Sequence, residues 1–178
     1  KEGLTLLKGG YMGKLLRVNL TDRTYSEESI TEELAKNYIG GAGFGIKYLF
    51  DEVPAGTDPL GPGNKLIFAP GPLTGTPAPC ASRLAVTSKS PLTGAVGMCA
   101  TGGYFPAELK FAGYDALIVE GKAASPVYLI IKDGEVGLHD AGHVWGKPTK
   151  ETQEMIRSEQ GDEKLRVAMI GPAGENLI

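Results

Sequence analysis

The chain changes hydrophobic period several times, and each change marks an element. Leu15, Arg17 and Asn19 alternate with Leu16, Val18 and Leu20, and the polar turn Thr21-Asp22-Arg23 leads into Thr24 to Glu28. A two-residue period broken by a polar turn predicts a hairpin, because successive strand side chains point to opposite faces. The period then lengthens. Thr31 is a capping type, Glu32 and Glu33 are first-turn acids, and Leu34, Ala35, Tyr38 and Ile39 recur at helical spacing until Gly40-Gly41. Phe44, Tyr48, Leu49 and Val53 predict a second helix ending at Pro54. Lys65 to Ala69 is a short apolar run between Gly and Pro, read as a buried strand.

Further along, Arg83 to Ser88 is strand-like, Tyr104 to Ala112 has the spacing of a short helix, and Ala116 to Glu120 is again a strand. Val127 to Lys132 and Glu135 to His139 flank Asp133-Gly134, a strong hairpin signal. Thr149 to Glu159 predicts a helix and Leu165 to Ile170 a closing strand. Written in order, hairpin, helix and strand run from Lys14 to Ala69 and end in Gly71-Pro72-Leu73-Thr74-Gly75. They run again from Val127 to Ile170 and end in Gly171-Pro172-Ala173-Gly174-Glu175. Two ordinary units ending in Gly-Pro turns would give the same pattern; a duplication would make the second copy a truncated one. Hairpins mixed with segregated helices predict an α+β fold: duplicated hairpin-helix-strand units in a two-sheet platform, the second copy truncated.

Composition narrows the class. At 178 residues, 42% hydrophobic and 22% charged, the chain can bury a core of single-domain size. A net charge of -3 argues against nucleic acid as a partner, since phosphate-tracking surfaces concentrate Lys and Arg. No apolar run reaches the roughly 18 residues of a membrane span, and no secretory leader is visible, so no membrane partner and a cytoplasmic location are expected. Residues 1–10 lack an initiating Met and read as a leader or expression remnant, leaving 11–178 as the domain.

Chemistry concentrates in a few loops. Ala69 to Pro79 holds more Gly, Pro and hydroxyl than a packed element tolerates, so it is a shaped loop: either a rigid surface turn, or backbone N–H and C=O groups offered to a large polar ligand. Arg83 follows directly; its planar fork suits a phosphate or a ligand's oxygens, and equally a surface ion pair. Ser88-Lys89-Ser90-Pro91-Leu92-Thr93-Gly94 repeats the Pro-Leu-Thr-Gly tetrad of 72–75, and two such loops flanking one short strand are expected to lie near each other. Ala100-Thr101-Gly102-Gly103 brings a Gly pair to a helix start, where first-turn amides can meet an anion. It is not a Walker loop, and Gly41-Ala42-Gly43-Phe44-Gly45 lacks dinucleotide spacing. His139, His143, Asp115 and Glu108 form no evident catalytic relay, and Cys80 and Cys99, the two cysteines, have no metal-site spacing.

Taken together, Gly71-Pro-Leu-Thr-Gly75, Arg83, Lys89-Ser-Pro-Leu-Thr-Gly94, the unbroken run Gly102–Lys122 and Gly171-Pro-Ala-Gly-Glu-Asn176 resemble the amino-terminal domain of the aldehyde:ferredoxin oxidoreductase family. The resemblance runs from Tyr11 to Ile178. It implies oxidation of aldehydes to carboxylic acids with ferredoxin as electron acceptor, tungsten (or molybdenum) held by two pterins, a [4Fe-4S] cluster ligated by later domains, and magnesium bridging pterin phosphates. It also implies a pseudo-twofold α+β platform beneath the pterins, and leaves homo-oligomerisation open. By the same resemblance Arg83 falls between pterin and cluster, and Ala100, Thr101, Gly102 and Gly103 fall on the cofactor-contacting loop. The Ala100 main-chain carbonyl falls at the magnesium position, where relatives commonly carry Asn. No catalytic residue is expected within the chain. A reductase of activated aromatic acids and a cofactor-free interaction module are the alternatives.

Overall fold

A computed structural model describes residues 9–177. The chain forms two compact units, one through Ala123 and one from Ala124 onward, and among the described residues it is an α+β protein with a six-stranded sheet, a two-stranded sheet and five helices.

The first unit opens with the expected hairpin, β1 (Lys14–Asn19) against β2 (Thr24–Ser29), in register from Lys14 opposite Ser29 to Asn19 opposite Thr24. Asn19 shapes its turn by accepting from the amides of Thr21 and Asp22. Thr31 then caps α1 (Glu32–Tyr38), its hydroxyl accepting from the Leu34 amide at 3.1 Å, and α2 (Ala42–Glu52) follows. Next come β3 (Lys65–Pro70), β4 (Leu84–Lys89), β5 (Val96–Thr101), α3 (Phe105–Phe111) and β6 (Ala116–Glu120). The sheet order is β2-β1-β6-β3-β4-β5, parallel between β1 and β6 and antiparallel elsewhere.

On one face of this sheet Leu15, Ile67, Ala69, Ala116 and Ile118 pack with Ile30, Ala35, Phe44 and Leu49 from the hairpin end and the two helices. Burial of a side chain such as Phe44 contributes about 1.5–3 kcal/mol. Close approach of α2 requires Gly45, since a Cβ there would lie 2.2 Å from Thr87 Oγ1. That hydroxyl is buried without a hydrogen-bond partner among the described residues. The same face ends in a charged lattice. Arg17 binds Glu28 at 2.5 Å, Glu52 at 2.8 Å and Glu120 at 3.1 Å, while Lys65 binds Glu52 at 3.1 Å and also Glu120. Partial burial pushes the Glu52 and Glu120 carboxyls up, but their bonds to Arg17 and Lys65 outweigh it and hold both below the ordinary range.

A second polar tie fixes the chain entering β1. Lys110 and Asp115 are both about 3% exposed at the side chain and form an ion pair across the turn after α3. Asp115 Oδ2 accepts from the amides of Met12 (2.8 Å) and Gly13 (2.7 Å), and Lys110 Nζ donates to the Gly10 carbonyl at 2.5 Å. Gly10 packs so closely on the Pro72 carbonyl that a Cβ would sit 1.9 Å from it. Residues 1–8, most of the segment read as a leader, lie outside the described residues.

In the second unit β7 (Val127–Lys132) and β8 (Glu135–Asp140) pair through Asp133-Gly134, both at positive φ as a two-residue hairpin turn requires. Ile156 of α4 (Thr149–Glu159) packs with Ala141 and Val144, joined by Tyr128, Met155 and Val167. The closing strand expected at 165–170 does not form. The sheet of this unit contains only β7 and β8; instead the Leu165 carbonyl accepts from Arg157 Nε at 2.9 Å, and Val167 serves the small core. The Gly-Pro turn expected at 171 is a short helix, α5 (Gly171–Glu175), whose Glu175 accepts from the Gly146 amide. Hairpin followed by helix therefore recurs in both units, whereas a strand follows the helices only in the first.

Removing one partner of a buried ion pair strands the other's charge, so Asp115→Ala should lower unfolding free energy by about 3–5 kcal/mol in urea titrations. Glu52 and Glu120 titrate in the folded state below their ordinary value of 4.5. Their stabilisation is complete above that pH and is lost as pH falls through their folded values. Acid titration followed by circular dichroism should therefore be less steep below pH 4.5 in Arg17→Gln than in the parent chain.

Candidate cofactor-binding site

Three strands meet at one level of the six-stranded sheet. Pro70, the last residue of β3, faces Leu84, the first of β4, and Leu84 in turn faces Thr101, the last of β5. The loop 71–83 and the glycines after β5 both leave from this row. The sheet thus sets Arg83 beside Gly102: a Cβ at Gly102 would lie 3.2 Å from the Ser82 carbonyl and 4.0 Å from Arg83 Cδ. Ser82 Oγ donates to the Gly103 carbonyl at 2.5 Å and ties the two segments together. Gly103 has φ +83 with open space where a side chain would stand.

All five residues singled out from the sequence are gathered here, with one change of context. Ala100 and Thr101 are not part of a helix-start loop; they close strand β5, which the sequence pattern does not announce. Both are exposed, as is Arg83, whose guanidinium makes no hydrogen bond or ion pair among the described residues. Arg83 is held through its main chain: its carbonyl accepts from the Gly71 amide at 3.2 Å and from Thr74 Oγ1 at 3.0 Å. Thr74 and Ser82 were not singled out, because their contacts depend on the β4 register. A hydroxyl within the Gly-Pro loop, and one directly before Arg83, were the available signals.

The two Pro-Leu-Thr-Gly loops do not come together as expected. The first precedes β4 and the second, closed by the Ser90 amide on the Ala95 carbonyl, follows it. Six residues of strand at about 3.4 Å each set them at opposite ends. Asp115 is taken by Lys110, His143 contacts Glu159 at 3.2 Å, and His139 stacks on Tyr128. Cys80 and Cys99 are exposed thiols, and among the described residues no group of three or more His, Cys, Asp and Glu could hold a metal ion. No described helix is long and apolar enough to cross a membrane.

What remains at the row is Arg83, a cation uncompensated among the described residues, next to strand-end backbone and a side-chain-free glycine pair, a surface suited to a flat ligand carrying anionic oxygens. The model of the aldehyde ferredoxin oxidoreductase N-terminal domain matches residues 15–178. The chain belongs to that family. It is similar to a tungsten-containing aldehyde ferredoxin oxidoreductase of Pyrococcus horikoshii, 56% identical over 95% of this chain, and spans 28% of that relative's length. An aliphatic sulfonate oxidoreductase WOR-like subunit of Pyrococcus furiosus is 37% identical over 94% of this chain and 29% of its own length. Among solved structures, the active-site complex BamBC of benzoyl coenzyme A reductase with 1,5-dienoyl-CoA superposes with a TM-score of 0.93 at 39% identity, covering 96% of this chain and 26% of that one. The chain thus shares its fold with that solved structure.

Because Arg83 is exposed and its side chain unpaired, Arg83→Ala should change unfolding free energy by no more than about 0.5 kcal/mol. Thermal or urea unfolding of the variant checks this and separates any functional loss from a folding defect.

Proposed function

We propose that the chain, over 11–178, is the cofactor-binding domain of a tungsten-pterin, iron-sulfur oxidoreductase that oxidises aldehydes to carboxylic acids and passes electrons to ferredoxin. The observation that carries this reading is the unpaired Arg83 guanidinium set beside Gly102 and Gly103. A pterin carrying a phosphate is flat and anionic. Backbone without side chains admits the ring at close range, and a neighbouring cation compensates its charge. In support, four tungsten-containing aldehyde ferredoxin oxidoreductases are 53–56% identical to the chain.

In this reading Arg83 would act electrostatically, favouring the more negative state of a pterin bound beside it, while Ala100 to Gly103 would help hold that pterin and the Ala100 carbonyl would be a ligand for magnesium. Tungsten (or molybdenum), held by two such pterins, supplies the two-electron redox chemistry of aldehyde oxidation. A [4Fe-4S] cluster would supply one-electron transfer toward ferredoxin, with ligands outside the residues of this chain. The intact enzyme is cytoplasmic, meets ferredoxin as a partner and admits a homo-oligomer.

One observation favours a second reading. The structural likeness to a benzoyl coenzyme A reductase at 39% identity admits a reductase of activated aromatic acids, since the Arg83 site faces cofactor rather than substrate.

Anaerobic purification of the intact oxidoreductase, with metal analysis and pterin fluorescence, tests the proposal. Tungsten (or molybdenum) with pterin, and aldehyde-dependent reduction of ferredoxin, are expected. Absence of metal and pterin would point to a cofactor-free interaction module, and activity only on an aromatic thioester to the second reading. Arg83→Ala should lower turnover or cofactor content roughly tenfold or more; unchanged turnover at full metal loading would remove Arg83 from the mechanism.

A further inference from the structure

We propose that Thr74 is the positioning residue for Arg83, acting through the main chain of loop 71–83; this rests on the reading of Arg83 as a cofactor-facing cation. Thr74 is 1% exposed. Its hydroxyl lies 2.9 Å from the Ala81 carbonyl and 3.0 Å from the Arg83 carbonyl, and it accepts from the Arg83 amide at 3.4 Å. With one proton it donates to one carbonyl at a time and accepts in return. A single buried hydroxyl therefore bonds to the stretch 81–83 from two sides.

Beyond this hydroxyl the stretch is held by few bonds: the Arg83 amide donates to the Ala81 carbonyl at 2.9 Å, and Ser82 Oγ donates to the Gly103 carbonyl. Pro72, Pro77 and Pro79 donate no amide hydrogen bonds, and loop 71–83 is linked across its neck by one main-chain bond, Gly71 N–H to Arg83 C=O. The Arg83 side chain itself has no anchor among the described residues. Its aim is inherited from its own backbone and from Ser82, which holds Gly103. A change in the height of residues 81–83 over the strand row would move the guanidinium and the Gly102-Gly103 contact together.

The second tetrad supplies an internal comparison. Gly75 and Gly94 close the two Pro-Leu-Thr-Gly turns at similar φ, +78 and +68. Thr93, however, is exposed, and its hydroxyl only accepts from the Ala95 amide two residues on. The turn therefore forms without an inward threonine. Burial of the hydroxyl is particular to the copy that precedes Arg83, which is what a positioning role requires and a generic turn role does not.

The test compares Thr74→Val, which keeps the shape but not the hydroxyl, with Thr74→Ser, which keeps the hydroxyl, and with Arg83→Ala, all in the anaerobically purified holoenzyme. Redox titration followed by electron paramagnetic resonance is expected to show Thr74→Val shifting the midpoint potential in the same direction as Arg83→Ala, with Thr74→Ser restoring the parent value. Amide exchange at Gly71, whose N–H is bonded to the Arg83 carbonyl, should be about tenfold faster in Thr74→Val, as for loosening of that neck by loss of one buried hydrogen bond, and near parental in Thr74→Ser. A shift in Arg83→Ala with none in Thr74→Val overturns the positioning role. If Arg83→Ala is itself silent, the cofactor reading of Arg83 fails and the proposal, as a functional one, fails with it, whatever the exchange rates show about the loop. Should Thr74→Val not fold, Thr74→Ala replaces it, and a potential unshifted in that variant overturns the role in the same way.

Discussion

The antiparallel register of β4 against both its neighbours is the constraint on which the site depends. Side chains alternate with a period of two, so one residue of slip would exchange the faces of the strand and carry Arg83 away from Gly102. The register is anchored at two places. At one, Thr87 of β4 sits beneath Gly45 of α2; at the strand end, Asn64 binds Ser88 and both main-chain groups of Lys89. An orphaned Thr87 hydroxyl is the cost of that closeness, about 1–3 kcal/mol for an unsatisfied buried polar group. Burial of Phe44, Leu49 and Ile67 in the core of the same unit offsets this.

Polar ties then decide how the rest of the first unit is held. The buried Lys110–Asp115 pair gathers residues 10–13, the end of α3 and the start of β6 at one point, so that the chain entering β1 and the chain entering β6 arrive side by side. That arrangement suits the parallel pairing of β1 and β6, whose connection spans most of the unit. At the other end of the strands the Arg17 and Lys65 lattice plays the corresponding part with three carboxylates. Its field reaches Tyr48, whose hydroxyl burial, with the Glu28 charge, pushes up to about 12.

Most elements were legible in the sequence because their signals are local: the cap at Thr31, the turn at Asp133-Gly134, the spacing of Phe44 and Leu49. Two strands show where locality ends. Val96 to Thr101 has a glycine, little alternation and exposure on both faces, yet β4 supplies six partners and it is a strand. Leu165 to Ile170 is mostly apolar, yet among the described residues no strand pairs with it and it is none. Arg83 and residues 100–103 could be found from loop composition and resemblance. Thr74 and Ser82 could not, since a hydroxyl's partners ten or twenty residues away exist only once the strand row has formed. For the same reason the tetrad at 91–94 was expected near the first, when a six-residue strand separates them.

The two borders of the six-stranded sheet differ in a way that bears on solubility. β2 presents Glu27 and Glu28 along its rim, charges that discourage strand addition. β5, the opposite rim, reads Val-Gly-Met-Cys-Ala-Thr, with neither charge nor proline, and its apolar Val96 and Met98 are about half exposed. An unguarded rim of this kind is a template for intermolecular β-pairing. The strand that presents the candidate site is thus also the rim of the sheet that is less protected against self-association.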